Sequence, residues 1–393
     1  MGGPDGAPSP RFDVLTEQAL REGRSLKWSR YAPALGAFVA EMDFGTAPAV
    51  TRSLRESVDR GRLGYATPEA AGDMARACAG WLVRRYGWEV PPAWITPLGD
   101  VMAGLQAAIE RFTPPGSPVV LPTPAYMPFL SVPASLGREL IEVPMMELDG
   151  RPTYDLAGIG AAFDRGARLL VHVNPHNPLG RVFGVDEQLA LADVVTAAGA
   201  RVFADEIHAP LVYPGSVHRP YASLSAETAQ HTVTATSTSK AWNVPGLKTA
   251  QLILSNPADA EHWAQVGLPY GHSASTPGLF AATAAYDEGE EWLGDVLAHL
   301  DGNRRLLADL LAERLPQVRF TPPEGTYLAW LDCRRLGLEG SAGAFFLDRA
   351  GVALVDGPEC GAPGAGHVRL NFATPRPVLT TIVDRMAEAV AGR

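Results

Sequence analysis

Arg168-Leu169-Leu170-Val171-His172-Val173-Asn174-Pro175-His176-Asn177-Pro178-Leu179-Gly180-Arg181 reads as a strand that runs into a rigid turn. The run Leu169 to Val173 is apolar except at His172, as in a strand buried on both faces, and two Asn-Pro steps with a following glycine enforce a tight change of direction. The same grammar repeats on both sides. Helical patterns at Ala49 to Arg60, Asp73 to Tyr86, Val101 to Phe112 and Asp186 to Ala198 alternate with short apolar runs at Pro118 to Leu121, Arg201 to Ala204, Thr232 to Thr236 and Gln251 to Leu254. Alternation of this kind predicts an α/β fold: a mostly parallel (mixed) central sheet covered by helices, with a ligand site beyond the carboxyl ends of the strands.

After about Pro277 the texture changes. Two helical stretches, interrupted at Asp287-Glu288-Gly289-Glu290, lead to strand-like pieces at Tyr327 to Leu331, Val352 to Val355 and His367 to Phe372, which predicts a smaller α+β C-terminal domain. The expected division is a tail and arm over 1–47, a large domain over 48–280 and a small domain over 281–393. The first dozen residues, rich in Gly and Pro, read as disordered, and Trp28 to Phe44 reads as an extended arm. The segment Asp356 to Gly366 is either a mobile loop near the site or a plain surface connection.

Bulk composition narrows the function. With 46 % hydrophobic and 19 % charged residues over 393 positions, the chain has the material for two ordinary globular domains. A formal charge of -10 without any Lys/Arg cluster argues against nucleic acid or anionic lipid as partners and for a small-molecule substrate. Cys78, Cys333 and Cys360 are too few and too scattered for a disulfide framework or a zinc site, so they read as reduced thiols and no metal is expected. The N-terminus has no basic-then-apolar leader, and no run of about 18 apolar residues exists to span a bilayer. The cytoplasm is the expected location.

Three strand ends carry the candidate chemistry. Lys240, in Thr236-Ser237-Thr238-Ser239-Lys240-Ala241-Trp242-Asn243, follows a strand and sits among hydroxyls with few charges nearby, where an amine loses its proton more easily than in water. Asp205 ends the run Arg201 to Ala204 and should project from the same edge, as a buried carboxylate or as a plain cap or turn residue. Asn177 lies in the Asn-Pro turn at a third strand end, where it either presents its amide to a ligand or only shapes the chain.

Taken in this order, Asn174-Pro175-His176-Asn177-Pro178-Leu179-Gly180, Asp205-Glu206-Ile207-His208 and Ser237-Thr238-Ser239-Lys240 resemble the class I/II aminotransferases of pyridoxal 5'-phosphate (PLP) fold type I. Lys27-Trp28, Ala40-Glu41-Met42-Asp43-Phe44, Gly64-Tyr65 and Pro124-Ala125-Tyr126-Met127-Pro128-Phe129 extend the resemblance to the MalY/PatB branch of cystathionine β-lyases and cysteine-S-conjugate β-lyases. It covers the chain from about residue 26 onward.

The resemblance implies PLP held by Lys240 as a Schiff base, with the same lysine acting as the base at Cα. It implies Asp205 against the pyridine nitrogen and Asn177 against the phenolic oxygen. His208 stands where many relatives have a tyrosine near that oxygen, so its role is contact or structure alike. Tyr126 falls where an aromatic stacks on the ring. The helix opened by Gly99-Asp100-Val101 would hold the phosphate at its positive end, with a hydroxyl contact from Ser237. Lys248 replaces the usual arginine anchor, which leaves a single contact or none. Arg369 matches the clamp for the substrate carboxylate, and Tyr65 matches a tyrosine that reaches the neighbouring subunit's site, which implies a homodimer and an arm lying across the partner.

The reaction follows from what hangs on Cβ. With a sulfur leaving group, elimination yields a thiol, pyruvate and ammonia. Without one, transamination is the outcome, and processing of S-conjugates in natural-product pathways, including decarboxylation-deamination, stays open.

Overall fold

The computed structural model describes residues 10–393. Seven strands build the central sheet: Ile95–Leu98 (β1), Val119–Thr123 (β2), Leu140–Pro144 (β3), Leu169–Val173 (β4), Arg201–Asp205 (β5), Thr232–Thr236 (β6) and Ala250–Leu254 (β7), in the order β1-β7-β6-β5-β4-β2-β3. Strands β6, β5, β4, β2 and β3 are parallel, while β7 is antiparallel to β6 and to β1. The expected mostly parallel, mixed sheet is therefore present. Every residue of β2, β4, β6 and β7 is buried, which explains why these strands read as continuous runs rather than alternations.

Right at one edge of this sheet the chain leaves β1, β2, β4, β5 and β6 at Gly99, Pro124, Asn174, Glu206 and Ser237, and it enters β7 from Thr249. That edge gathers the polar motifs. Between parallel strands run the helices Met127–Ser135, Leu156–Asp164, Val185–Ala197 and Ala226–His231.

Helices Thr276–Glu288 and Glu290–Arg314 are separated at Gly289, where a Cβ would lie 2.3 Å from Nε1 of the buried Trp242. Close packing, as well as the acidic run, makes the break. Beyond them Arg319–Phe320 (β8), Leu328–Asp332 (β9), Val355–Asp356 (β10) and His367–Asn371 (β11) form an antiparallel sheet in the order β8-β9-β11-β10. The expected strand Val352 to Val355 is two pieces, because Val352–Ala353 pairs with Leu35–Gly36 instead.

That pairing corrects the reading of the N-terminal stretch. Trp28 to Phe44 is not a uniformly extended arm: Leu26–Ser29 is helical, and Leu35, Ala37, Phe38, Met42 and Phe44 are buried in their own chain. Burial of these apolar side chains outweighs the extended tendency. Nor does disorder cover the first dozen residues. Phe12 is buried against Phe44 and His299, while the part of that expectation falling on residues 1–9 lies outside the described residues.

A buried charge pair locks the segment in place. Lys27 Nζ meets Asp43 Oδ2 at 2.8 Å and also donates to the Ala373 carbonyl, and Trp28 Nε1 donates to Asp43 Oδ1. Replacing Lys27 by Met would leave a buried carboxylate without its cation, so Lys27→Met is expected to lower unfolding free energy by about 3–5 kcal/mol. Urea denaturation followed by tryptophan fluorescence measures this, and a loss below about 1 kcal/mol would count against the pair as a structural lock.

Candidate active site

A cavity of about 220 Å³ opens at the carboxyl edge of the sheet. Asp100, Val101, Tyr126, Asn177, Asp205, His208, Ser237, Lys240 and Lys248 all line it, so the fold brings nine of the sequence candidates together from six chain segments. Two candidates are not among the lining residues. Arg369 is bonded to the lining Asn177, whereas Tyr65 lies in the turn between the helices Pro48–Asp59 and Pro68–Tyr86, is 98 % exposed, and contributes nothing to the cavity of its own chain.

Lys240 stands in the short helix Thr238–Ala241, and its Nζ donates to the Ala40 carbonyl at 2.8 Å. Burial pushes its pKa down to about 8, helped by the positive charge of Arg369 and opposed by Asp205 and Glu41. An amine so placed is available as a base near neutral pH. Asp205, at the end of β5, accepts from the Ile207 N–H at 3.0 Å. Burial pushes its carboxyl up to about 7, with Glu206 adding to the rise. A carboxylate this costly to ionise alone favours a cationic partner.

Arg369 is 2 % exposed although it lies in a strand. One guanidinium nitrogen donates to Asn177 Oδ1 at 3.0 Å and another to the Phe38 carbonyl at 2.9 Å, while Nε is buried without a partner. The bond to Asn177 has a directional consequence: with Oδ1 taken, the amide presents its Nδ2 protons as donors. His208 is buried against Tyr327, and burial drives its pKa well below the ordinary histidine value, so its ring is neutral; Nδ1 has no partner.

At the opposite end Asp100 caps the helix Val101–Arg111 by accepting from the Ala103 N–H. Its other oxygen takes Lys248 Nζ at 2.8 Å. Gly99 is required here, since a Cβ would lie 2.9 Å from the Ser273 carbonyl oxygen. Ser237 donates its hydroxyl to the Thr249 carbonyl and accepts from the Ser239 N–H, so its proton is already committed to the protein.

The cavity also holds groups that sequence reasoning missed. Ser239 and Thr249 line it. The Ala40 carbonyl accepts from both Lys240 and the Tyr327 hydroxyl, and its segment is pinned by Asn371, which donates to the carbonyls of Val39 and Glu41, and by Asn243, which bonds both backbone groups of Met42. A backbone carbonyl leaves no residue signature. The segment Asp356 to Gly366 forms two short 3-10 turns and closes on the cavity wall through the Cys360 carbonyl, which accepts from the Ala125 N–H.

Residues 39–386 match the family described as aminotransferase class I and II. The chain belongs to this family. Within the aminotransferase family it is 40 % identical to a cystathionine β-lyase from Corynebacterium glutamicum, over 97 % of this chain and 100 % of that one. It is 33 % identical to the cystathionine β-lyase PatB of Bacillus subtilis, over 88 % of this chain and 92 % of the other. Among solved structures, the PLP-bound C–S lyase from Staphylococcus hominis superposes with a TM-score of 0.89 at 27 % identity, covering 97 % of this chain and 98 % of that one. The PatB-like branch that the motifs resemble is thus a branch to which this family member is similar over most of its length.

Proposed function

We propose that the chain is a PLP-dependent C–S β-lyase that converts cystathionine or another cysteine S-conjugate and water into a thiol, pyruvate and ammonia. The observation that carries this reading is the half-buried Lys240 amine, with its lowered pKa, sharing one cavity with Asp205 and Asn177, in a chain similar over most of its length to named lyases.

The residues present suit the cofactor. A carboxylate that burial makes costly to ionise suits a protonated pyridine nitrogen, the free Nδ2 of Asn177 suits an anionic oxygen, and a helix N-terminus at a glycine suits a phosphate. Tyr126 borders the ring's place, and Lys248 and Ser239 flank the phosphate end. When bound, PLP supplies an electron sink for the carbanion at Cα. Arg369 binds the substrate carboxylate and fixes which Cα bond faces Lys240. Lys240 takes the Cα proton at Nζ, and Ala40 offers its carbonyl to the charged amine that results. Asp205 holds a proton at the pyridine nitrogen, and the largely apolar walls exclude water. Loss of the Cβ–S bond expels the thiolate.

Two further features belong to this proposal. Tyr65, with the exposed Val58 and Leu63 around it, supports an apolar face shared by two copies, so we read the enzyme as a homodimer in which Tyr65 reaches the partner's cavity. The three buried, free cysteines suit a reducing cytoplasm, and no helix among the described residues is long and apolar enough to cross a membrane.

The test is pyruvate release from L-cystathionine by the PLP-loaded protein. Pyruvate in stoichiometry with thiol supports the lyase, whereas consumption of the amino donor only with 2-oxoglutarate present would replace it by transamination.

Asp205 allows a separate expectation. Because its folded pKa is raised, the folded chain binds more protons than the unfolded chain between the ordinary aspartate range and about 7, so stability falls as pH rises across that window. Asp205→Asn should therefore raise the melting temperature of the cofactor-free protein at pH 8 while weakening PLP binding. Calorimetry with and without PLP reads both, and equal losses of stability in the two states would contradict it.

A further inference from the structure

Glu206 follows Asp205 directly and is equally buried, at 3 % exposed, yet it faces away from the active-site cavity. It lines a small enclosed pocket on the other side of the strand end, with Tyr86, Thr236 and Tyr286. One carboxylate oxygen accepts from the Tyr221 N–H at 2.8 Å, and the other lies 3.4 Å from Nε2 of His218, itself 4 % exposed. The His218 ring is in turn held edge-on by Tyr86, with centroids 5.2 Å apart. A buried carboxylate so surrounded needs a reason, because removing one from water is costly unless its partners answer a structural demand.

The backbone of the same residue supplies that reason. Glu206 N donates to the Ala235 carbonyl, and the Glu206 carbonyl accepts from Ala209 N and from Thr236 Oγ1. Residue 206 is therefore tied to β6 and to the turn that follows β5. This turn delivers the Ile207 N–H to Asp205 Oδ1 and places His208 on the cavity wall. A side chain anchored on the far side prevents the strand end from rotating, and rotation there would swing Asp205 away from its partner.

We propose that Glu206, anchored by the Tyr221 N–H, is a positioning residue that aims Asp205 at the pyridine nitrogen of the cofactor. This rests on the reading of Asp205 given above. Its role is geometric: an acceptor of the right length holds the strand end in place.

Three variants of the full-length holoenzyme test it, loaded with PLP labelled with ¹⁵N in the ring. Glu206→Ala removes the anchor and Glu206→Asp makes it one methylene too short. Both are expected to move the pyridine ¹⁵N resonance toward the unprotonated position and to raise the PLP dissociation constant about tenfold or more. Glu206→Gln keeps the acceptor for Tyr221 and is expected to hold both near wild type. Should Glu206→Ala fail to fold, the Asp variant carries the comparison. If Ala and Asp lower only the melting temperature, the role is packing and the proposal fails; if Gln falls with Ala, charge rather than position matters and it fails equally. Asp205→Asn separates the underlying reading, since an unchanged ¹⁵N resonance there would refute the assignment of Asp205 itself.

Discussion

Lys240→Ala is expected to abolish pyruvate release from L-cystathionine, with turnover reduced about 10⁴-fold or more. Two losses coincide at this one position. A positioned general base alone is worth about 10²–10⁴ in rate, and the same amine is the proposed attachment point for the cofactor. The structure strengthens this expectation by showing how few substitutes exist. His208, a further titratable group on the wall, is kept neutral chiefly by burial, and the charge of Arg369 also resists its taking a proton. The variant should fold, because an alanine in the short helix Thr238–Ala241 is helix-favouring and Ala40 loses only one of its two donors. Pyruvate measured by a coupled assay, beside a melting curve, decides the matter. Residual turnover above about one per cent of wild type would take the reaction away from Lys240.

The second large effect is expected at Arg369. Lysine keeps the charge but offers a single point donor in place of a planar fork, so it cannot hold a carboxylate bidentately. It also cannot serve Asn177 and the Phe38 carbonyl together as Arg369 does. Arg369→Lys should therefore lower kcat/KM about 10²–10³-fold, within the range for truncating one partner of a buried charge pair, with most of the change in KM. A substrate amide lacking the carboxylate charge should be affected little by the substitution. If the amide and the acid lose equally, Arg369 acts only through Asn177 and does not bind the carboxylate.

The sheet was legible because strands buried on both faces must be apolar throughout, and their ends are marked by Gly, Pro, Asn and Asp. Thr232 to Thr236 was placed without error, and the strands Val119–Thr123, Leu169–Val173, Arg201–Asp205 and Ala250–Leu254 were placed to within about two residues, whereas the half-exposed edge strand Leu140–Pro144 was not read at all. Elements whose partners are far away in the chain were read less well. Val352 to Val355 looks like one strand, yet Val352 is claimed by Leu35 and Val355 by Arg369. Trp28 to Phe44 looks like a free arm because its partners, Ala373 and Asn371 among them, lie more than 300 residues away.

The sequence by itself determined the fold class, the family and the set of candidate side chains, since each depends on residue type at a strand end and such ends can be recognised locally. Only the tertiary structure decided which groups act together. It turned the Asn177 amide through its bond with Arg369, chose the Ala40 carbonyl as the acceptor for Lys240, kept Tyr65 out of its own cavity, and set Glu206 behind Asp205. The physical reason is that hydrogen bonds and desolvation act across distances of a few ångströms in space, and segments far apart in the chain bring those groups within reach.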